Sequence, residues 1–313
     1  MSAQGLSSRA IIGEFYARLE QNDGAAWMGR ISNLFQSNQE SETYKWLGMA
    51  PAMREWVGGR QAKGFRENGI TIANKRYEAT LEVLLDEMRR DKTGQVMVRV
   101  AELAQRTNAH WAKLLSTLLI AGESAVCYDG QFFFDTDHAE GDSGAQDNDL
   151  SVDIAVTSAP TAGEMEGAIL RLTQQILGFK DDQGEPMNEE ARSFLVMVPV
   201  NMMSAAIAAT RSDIIVDGSA ARSNVISAAG ALGGFQFEVA VNPRLTWTTK
   251  FAVFRTDAAT QAMIRQEEDG VSVDAIAEGS ELEFNERKHR YGVTASRNVG
   301  YGYWQRACLA TFT

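Results

Sequence analysis

The sequence predicts an α+β protein organised around one unusually long helix. Residues 93–122 keep a helical periodicity of apolar side chains over about thirty positions. Residues 70–83 alternate between apolar and polar side chains, and residues 271–313 are almost wholly of strand type. A helix of this length spans about 45 Å at about 1.5 Å per residue. We therefore expect it to act as a spine along which the other elements pack.

The composition indicates a chain that can bury a large core and that carries an excess of negative charge. Its 313 residues are 44% hydrophobic, and 41 acidic residues against 30 basic ones give a net charge of −11. This balance argues against a grip on nucleic acid along the whole chain. Cys127 and Cys308 lack metal-type spacing, which predicts neither a disulfide framework nor a zinc knuckle. With no long apolar run, we expect a cytoplasmic setting and no membrane partner.

The N-terminal part combines helical segments with an extended stretch. Residues 11–35 show loosely helical spacing that is interrupted at Asn22, Asp23 and Gly24, which predicts a helix or two with a turn between them. Residues 37–48 are polar but contain aromatic side chains, and we expect them to form an extended arm.

A long hairpin is predicted next. Glycines punctuate residues 58–69, and beyond Gly69 the pattern acquires a period of two. A two-stranded hairpin is at best marginally stable alone in water. The hairpin therefore needs a surface, and the pattern leaves open whether its own domain or a neighbouring subunit provides it.

The predicted spine follows. Its apolar stripe consists of Val96, Val100, Leu103, Thr107, Trp111, Leu114 and Leu118. The polar residues of the opposite face are Arg99, Glu102, Gln105, Arg106 and Lys113. Gly122 stands where a C-terminal cap belongs. After the spine, the three consecutive phenylalanines 132–134 are expected to form a short buried anchor.

A compact α+β unit is predicted after this anchor. Residues 161–177 have the pattern of an amphipathic helix, and residues 194–198 have that of a strand buried on both faces. Residues 201–210 are expected to be helical. The alternation in residues 235–241 predicts a strand that pairs with residues 251–254.

The C-terminal strands carry the one basic region of this acidic chain. Its members are Arg287, Lys288, Arg290, Arg297 and Arg306. The pattern is compatible with a solvated sheet face, and also with a surface turned toward nucleic acid or an acidic partner.

The search for chemistry gives no catalytic motif and no cofactor site. The chain lacks a Walker phosphate loop, an H-E-x-x-H motif and a G-x-S-x-G motif. The best metal candidates are Asp135, Asp137, His138, Asp142, Asp147 and Asp149. The spacing fails as an EF-hand, because Glu140 stands where glycine is needed and Gln146 replaces the bidentate glutamate. A metal-dependent cytoplasmic enzyme using Asp135, Asp137 and His138 is the alternative function.

Four stretches of the sequence carry a family resemblance. They are ETYKWLG (42–48), REWVG (54–58), YEAT (77–80) and YDGQFFFDTDH (128–138). In this order they resemble the major head subunits of Mu-like phages and prophages. The resemblance implies the capsid fold named after bacteriophage Hong Kong 97, in which an arm and an extended hairpin loop embrace neighbouring subunits.

The resemblance also implies a domain organisation. It assigns an N-terminal arm to 1–45, the extended loop to 46–84, a peripheral domain to 85–156 and 266–313, and an axial domain to 157–265. It further implies a non-enzymatic subunit that forms the hexamers and pentamers of an icosahedral head around double-stranded DNA, assembled in the bacterial cytoplasm. A separate scaffold protein, a portal and decoration proteins are the expected partners besides the chain itself.

The predicted contact residues follow from this organisation. Aromatic residues on the arm and loop are expected to lie in pockets supplied by adjacent copies. The predicted contacts between subunits are Trp27, Trp46, Arg54, Trp56, Lys63 and Phe65. Arg287, Lys288 and Arg290 are the candidates for a face that meets the genome.

Overall fold

The computed structural model describes residues 7–21, 24–45, 69–91, 93–217 and 220–313. Its helices are α1 (Ser8–Glu20), α2 (Met28–Ile31), α3 (Leu85–Arg90), α4 (Gln95–Ile120), α5 (Ala162–Gly178), α6 (Met203–Arg211), α7 (Val225–Gly233) and α8 (Glu281–Glu286). Its strands are β1 (Ser32–Gln36), β2 (Ser41–Tyr44), β3 (Ile70–Ala73), β4 (Lys75–Leu84), β5 (Asp149–Val152), β6 (Ser193–Val198), β7 (Ile214–Asp217), β8 (Ala220–Ser223), β9 (Gln236–Val241), β10 (Lys250–Arg255), β11 (Met263–Ile276), β12 (Lys288–Tyr301) and β13 (Ala307–Phe312). Short 3-10 turns lie at Ala121–Glu123, Val200–Met202 and Trp304–Arg306.

Two larger sheets form the body. The spine sheet has the strand order β1-β11-β12-β4, and the central sheet has the order β5-β13-β10-β6-β9. The strands β2 and β3 form a separate antiparallel pair, and so do β7 and β8. Helices and mixed sheets therefore occur together, as the predicted α+β class requires. None of the helices in the described part of the chain is long and apolar enough to span a bilayer.

The spine prediction is confirmed over α4. The helix begins after Gly94, which has a φ of 73°, and both carboxylate oxygens of Asp91 accept hydrogen bonds from the first helical amides, those of Gln95 and Val96, at 2.9 Å. Gly122 lies in the 3-10 turn that follows, and a Cβ there would lie 2.6 Å from Cδ2 of Phe134. Glycine at position 122 therefore allows the ring of Phe134 to pack closely against the end of the spine.

The buried face of α4 differs from the predicted stripe at Leu103, which is half-buried beside the buried Ala104, and in its second half. Val96, Val100, Thr107 and Trp111 are buried as predicted. Beyond them the buried line passes through Leu115 and its neighbours, while Leu114 and Leu118 are only half-buried. The shift occurs because the helix leaves one core and enters another.

The first core lies between α1, α4 and the spine sheet. Its buried members are Ile11, Phe15, Val83, Met88, Val96, Val100, Ala104, Tyr291 and Val293. Helix α1 is fixed to the sheet by a 3.0 Å hydrogen bond between the hydroxyls of Ser8 and Tyr291. The second, larger core surrounds the central sheet and the C-terminal half of α4.

The predicted pairing of residues 235–241 with residues 251–254 is wrong. Strand β6 lies between β9 and β10, parallel to β9 and antiparallel to β10. The reason lies in the side chains: β6 is apolar on both faces and takes an interior position, whereas β9 alternates and takes an edge.

Three other predictions need adjustment. Phe133 and Phe134 are buried, but Phe132 is 41% exposed and is not part of the anchor. The C-terminal β region is interrupted by α8, which begins with Ser280 accepting a hydrogen bond from the amide of Glu283. The predicted arm contains a strand, β2, which pairs with β3.

The domain division stays a prediction. Strand β13 pairs with β5 and β10 in the central sheet, although the division assigns residues 266–313 to the peripheral domain. The chain therefore crosses from the spine sheet to the central sheet between β12 and β13.

Candidate functional site

The stretch 128–138, which carries part of the resemblance, folds into a tight loop around a buried cluster. The Cys127 thiol donates to Oδ1 of Asp129 at 2.9 Å, and Oδ2 of Asp129 lies 2.7 Å from Nδ1 of His138. The His138 ring stacks on Trp304 with centroids 4.0 Å apart, and both side chains are fully buried. This cluster ties the end of the spine to the turn before β13.

The electrostatics of the cluster favour a structural role. Burial opposes ionisation of Asp129, but hydrogen bonds from His138 and Cys127 outweigh it and lower the pKa of this carboxyl. Burial, together with the charge of Asp129, raises the pKa of the Cys127 thiol. The thiol is therefore protonated at neutral pH and unreactive.

Among the described residues, the acidic loop does not bring its candidate metal ligands together. Asp135 accepts hydrogen bonds from the amides of Phe132 and Thr136, and Asp137 accepts one from the side chain of Gln131. Within the described ranges, the groups close enough to share a metal ion are those of Cys127, Asp129 and His138. These three already hydrogen-bond to one another, so we interpret them as a clamp.

The enzyme alternative finds no support in this geometry. It requires His138 beside Asp135 and Asp137, yet the ring of His138 is turned to Asp129 and covered by Trp304. A substrate could not reach it without displacing the core.

Most of the predicted contacts between subunits lie outside the described residues. These are Trp46, Arg54, Trp56, Lys63 and Phe65. Trp27 is 9% exposed and packs in the larger core of its own chain. Intrachain packing therefore already accounts for the Trp27 side chain.

The basic C-terminal residues do not form an open positive face. Arg287 pairs with Asp86 at 2.8 Å, and Lys288 and Arg290 both pair with Glu82, at 2.9 and 2.8 Å. The two remaining members are buried: Arg297 lies over the ring of Trp111 at 4.9 Å, and Arg306 packs near Asn188. Contact of this region with the genome stays a prediction, and the ion pairs leave little positive charge uncompensated.

An open groove of about 710 Å³ runs between the spine and the spine sheet. We call it the spine groove; it lies between β4 (77–81), α4 (99–113) and β12 (293–295). The small side chains of Ala79 and Ala295 face the helix here, which leaves space that larger residues would fill. Arg106 and Lys113 stand on the helical rim.

His110 lies half-buried in this groove. Its ring packs edge-on against Tyr77 with centroids 4.4 Å apart. Burial lowers the pKa of His110 to about 4, and the charges of Arg297, Lys113 and Arg244 add to the effect.

This gives a prediction for pH dependence. The folded imidazole takes up its proton near pH 4 and the unfolded one near 6.5, so lowering the pH through this window stabilises the unfolded chain. We expect wild type to lose free energy of unfolding relative to His110→Asn between about pH 7 and about pH 4.5. Urea unfolding of the soluble subunits at several pH values measures this difference. Parallel pH profiles would contradict it.

The sequence patterns did not identify two prominent aromatic residues. The ring of His138 in the clamp stacks on Trp304. In the sequence, only the tyrosines that precede Trp304 indicated an aromatic cluster there. Phe284 falls in the stretch 271–313 that is predicted to be almost wholly strand, but it lies in α8 and is 88% exposed. Its acidic neighbours Glu281, Glu283 and Glu286 were the available signal.

Comparison with known proteins connects these features to a family. The family model described as the Mu-like prophage major head subunit gpT matches residues 9–161 and 238–311, which is more than half of the chain. The Mu-like prophage FluMu major head subunit of Haemophilus influenzae is 34% identical over 111 residues, which are 36% of each chain. The major capsid protein of Escherichia phage Mu is 34% identical over 125 residues, which are 40% of each chain. The aligned part of the chain thus spans less than half the length of these relatives.

Solved structures show the same fold over almost the whole chain. A chain of the bacteriophage JBD30 procapsid has a TM-score of 0.55 at 21% identity, covering 98% of this chain and 76% of that one. A chain of the mature capsid of bacteriophage PhiM1 has a TM-score of 0.57 at 9% identity, covering 93% and 87%. The fold is thus that of tailed-phage capsid proteins, as the resemblance implied. Together with the family match, this shows that the chain belongs to the Mu-like prophage major head subunit (gpT) family.

Proposed function

We propose that the chain is a structural subunit that assembles into the hexamers and pentamers of an icosahedral phage head. The observation that carries the proposal is the family match, which includes the spine, the clamp and the C-terminal strands. The assembled head would enclose double-stranded DNA, and assembly would take place in the bacterial cytoplasm. A scaffold protein, a portal and decoration proteins are proposed as further partners.

The pair β2 and β3 supports a projecting loop. Tyr44 and Ile70 are register partners at its end, so the two described strand ends that flank the proposed loop lie side by side. Gly69 makes this possible, since a Cβ there would lie 2.8 Å from the carbonyl oxygen of Tyr44. The intervening residues include Trp46, Trp56 and Phe65, which we propose to lie on neighbouring copies.

The mechanism we propose is multivalent association. Each contact of an arm or loop is weak alone, but a subunit that engages several neighbours gains effective concentration with each one. This role needs no catalytic group, and the buried clamp of Cys127, Asp129 and His138 serves to hold the body rigid.

Trp56→Ala tests this mechanism. We expect the variant to remain soluble and folded, because the substitution lies on the proposed loop, and to give closed shells in at least about tenfold lower yield, because burial of one large side chain contributes roughly 1.5–3 kcal/mol. Negative-stain microscopy and sedimentation of purified protein measure the yield. Phe132→Ala, at an exposed position on the body, is the matched control. Wild-type yield from Trp56→Ala would contradict the loop's role, and dispersed wild-type particles would contradict the capsid function itself.

A further inference from the structure

The hairpin of β11 and β12 ends in an exposed apolar tip. Among the large apolar side chains that the structure describes, Phe284 in α8 is the most exposed, at 88%. The short helix is fixed locally, because Oε2 of Glu283 accepts a hydrogen bond from the amide of Gly279 at 2.7 Å. Ile276 at the end of β11 is also exposed. The tip therefore presents an aromatic ring on a rigid support, which is typical of a contact surface.

The tip is acidic. Glu281 and Glu286 flank Phe284 and are exposed. Glu286 pairs with Lys288 at 3.3 Å, whereas Glu281 has no ion pair with a cation in the described part of the chain and receives only a 3.4 Å hydrogen bond from Asn285. A partner of this tip should offer an apolar floor with cations beside it.

The spine groove has an apolar floor and a mixed rim, on which Arg106 and Lys113 stand beside the acids Glu78 and Glu102. Its floor includes Ala79 and Leu103, which leave apolar surface open. Arg106 and Lys113 are exposed and form no ion pair with the residues that the structure describes. They lie seven residues apart on α4, so they share one face at a separation of about 10 Å. Burial, and after it the positive charges of Arg297 and Lys113, lowers the pKa of His110, which lies between Arg106 and Lys113 on α4.

The tip cannot fill the groove of its own chain. Leu84 pairs with Lys288 beside the tip, whereas Ala79 pairs with Val293 in the groove. Five residues of strand separate the two positions, which is about 17 Å. The exposure of Phe284 agrees with this separation.

We propose that the tip of one subunit, with Phe284 as its anchor, docks in the spine groove of a second copy of the chain. Phe284 would lie on the small residues Ala79 and Ala295, and Glu281 would face Arg106 and Lys113. A second copy is favoured over DNA because a nucleic acid backbone would satisfy the rim cations but offers no apolar group to the floor. The proposal rests on the proposed function, since it names one contact through which the subunits assemble.

The contact would join two different surfaces of the subunit. Such a head-to-tail contact repeats around a ring, whereas contact of two tips would stop at a dimer. This difference can be measured with introduced cysteines. The native Cys127 and Cys308 are both buried and contribute little background.

The experiment places one cysteine on the tip and one in the groove, as Asn285→Cys with Glu102→Cys. We expect mild oxidation of the full chain to give covalent oligomers larger than dimers. The matched control replaces Glu102→Cys with Gln105→Cys, which lies on the same helix but lines a different hollow. Addition of Phe284→Ala to the groove pair should lower the yield at least about tenfold, because it removes the apolar anchor of the contact.

Charge reversal gives a second measurement. Arg106→Glu should reduce cross-linking, and Glu281→Lys in the same chain should restore it. Cross-linking equal to that of the Gln105→Cys control, or dimers formed by Asn285→Cys alone, would overturn the docking proposal. Shell formation in the wild-type protein is scored separately by microscopy, so failure of the capsid function is distinguishable from failure of this contact.

Discussion

Trp304→Ala is expected to lower the free energy of unfolding of the subunit by about 3–5 kcal/mol, the range for removing a large aromatic side chain from a core. The indole is fully buried, stacks on His138 at 4.0 Å and meets the edge of Phe179 at 5.1 Å. Its removal leaves a cavity between the clamp and the turn before β13, where backbone hydrogen bonds limit collapse. A single domain is commonly stable by only about 5–15 kcal/mol. Urea unfolding of the soluble subunit measures the loss.

Trp304→Phe is the matched control. The indole nitrogen has no hydrogen-bond partner among the described residues, so phenylalanine loses volume and stacking area but no polar contact. We expect a smaller loss, of about 1–3 kcal/mol. Equal losses for both variants would show that the stability comes from the indole specifically, and a loss below about 1 kcal/mol for alanine would contradict the central position of the ring.

Local sequence patterns predicted the helices and strands whose secondary structure depends little on the elements packed against them. The spine keeps its periodicity over α4, and the continuous apolar run of β6 is buried on both faces as expected. The pairing of strands that are distant in sequence was harder to predict from such patterns. The order β10-β6-β9 depends on which strand is apolar on both faces, and that property has to be compared across the whole sheet.

The basic C-terminal region shows why a cluster of cationic residues in the sequence does not by itself predict an exposed basic surface. Arg290 is the register partner of Glu82 on β4, so the two side chains meet across the sheet although 208 residues separate them in sequence. A shift of register by one residue would place them on opposite faces. Sequence composition counts such cations as an open basic surface, and only the register shows that they are neutralised.

The candidate site shows the same limit. The stretch 128–138 was recognisable as a family feature, but its chemistry depended on which acid met His138. The sequence places Asp135 and Asp137 nearest to it, whereas the fold brings Asp129 to 2.7 Å. The loop turns back at Gly130, whose φ of 94° favours glycine, and this reversal decides the pairing.

A second large effect is expected at Asn188, which lies fully buried between α5 and β6. Its amide nitrogen donates to the carbonyl oxygens of Ile176 at 2.7 Å and Gln305 at 2.8 Å. Its amide oxygen accepts from Arg255 at 3.0 Å and from Arg306. Burial, followed by the charge of Arg255, lowers the pKa of Arg306 to about 10.

Asn188→Leu keeps a similar volume but removes all of these hydrogen bonds. We expect a loss of about 3–5 kcal/mol in the free energy of unfolding, because two buried cations lose an acceptor and two carbonyls lose a donor. Asn201→Leu is the matched control: Asn201 also donates to two carbonyls, those of Ser158 and Thr248, but at the surface, where water replaces the lost bonds. Urea unfolding should give at most about 1 kcal/mol for the control. Equal losses in the free energy of unfolding for both leucine variants would contradict this prediction. They would mean that burial does not increase the contribution of the Asn188 hydrogen bonds to stability, and that the two arginines find other acceptors.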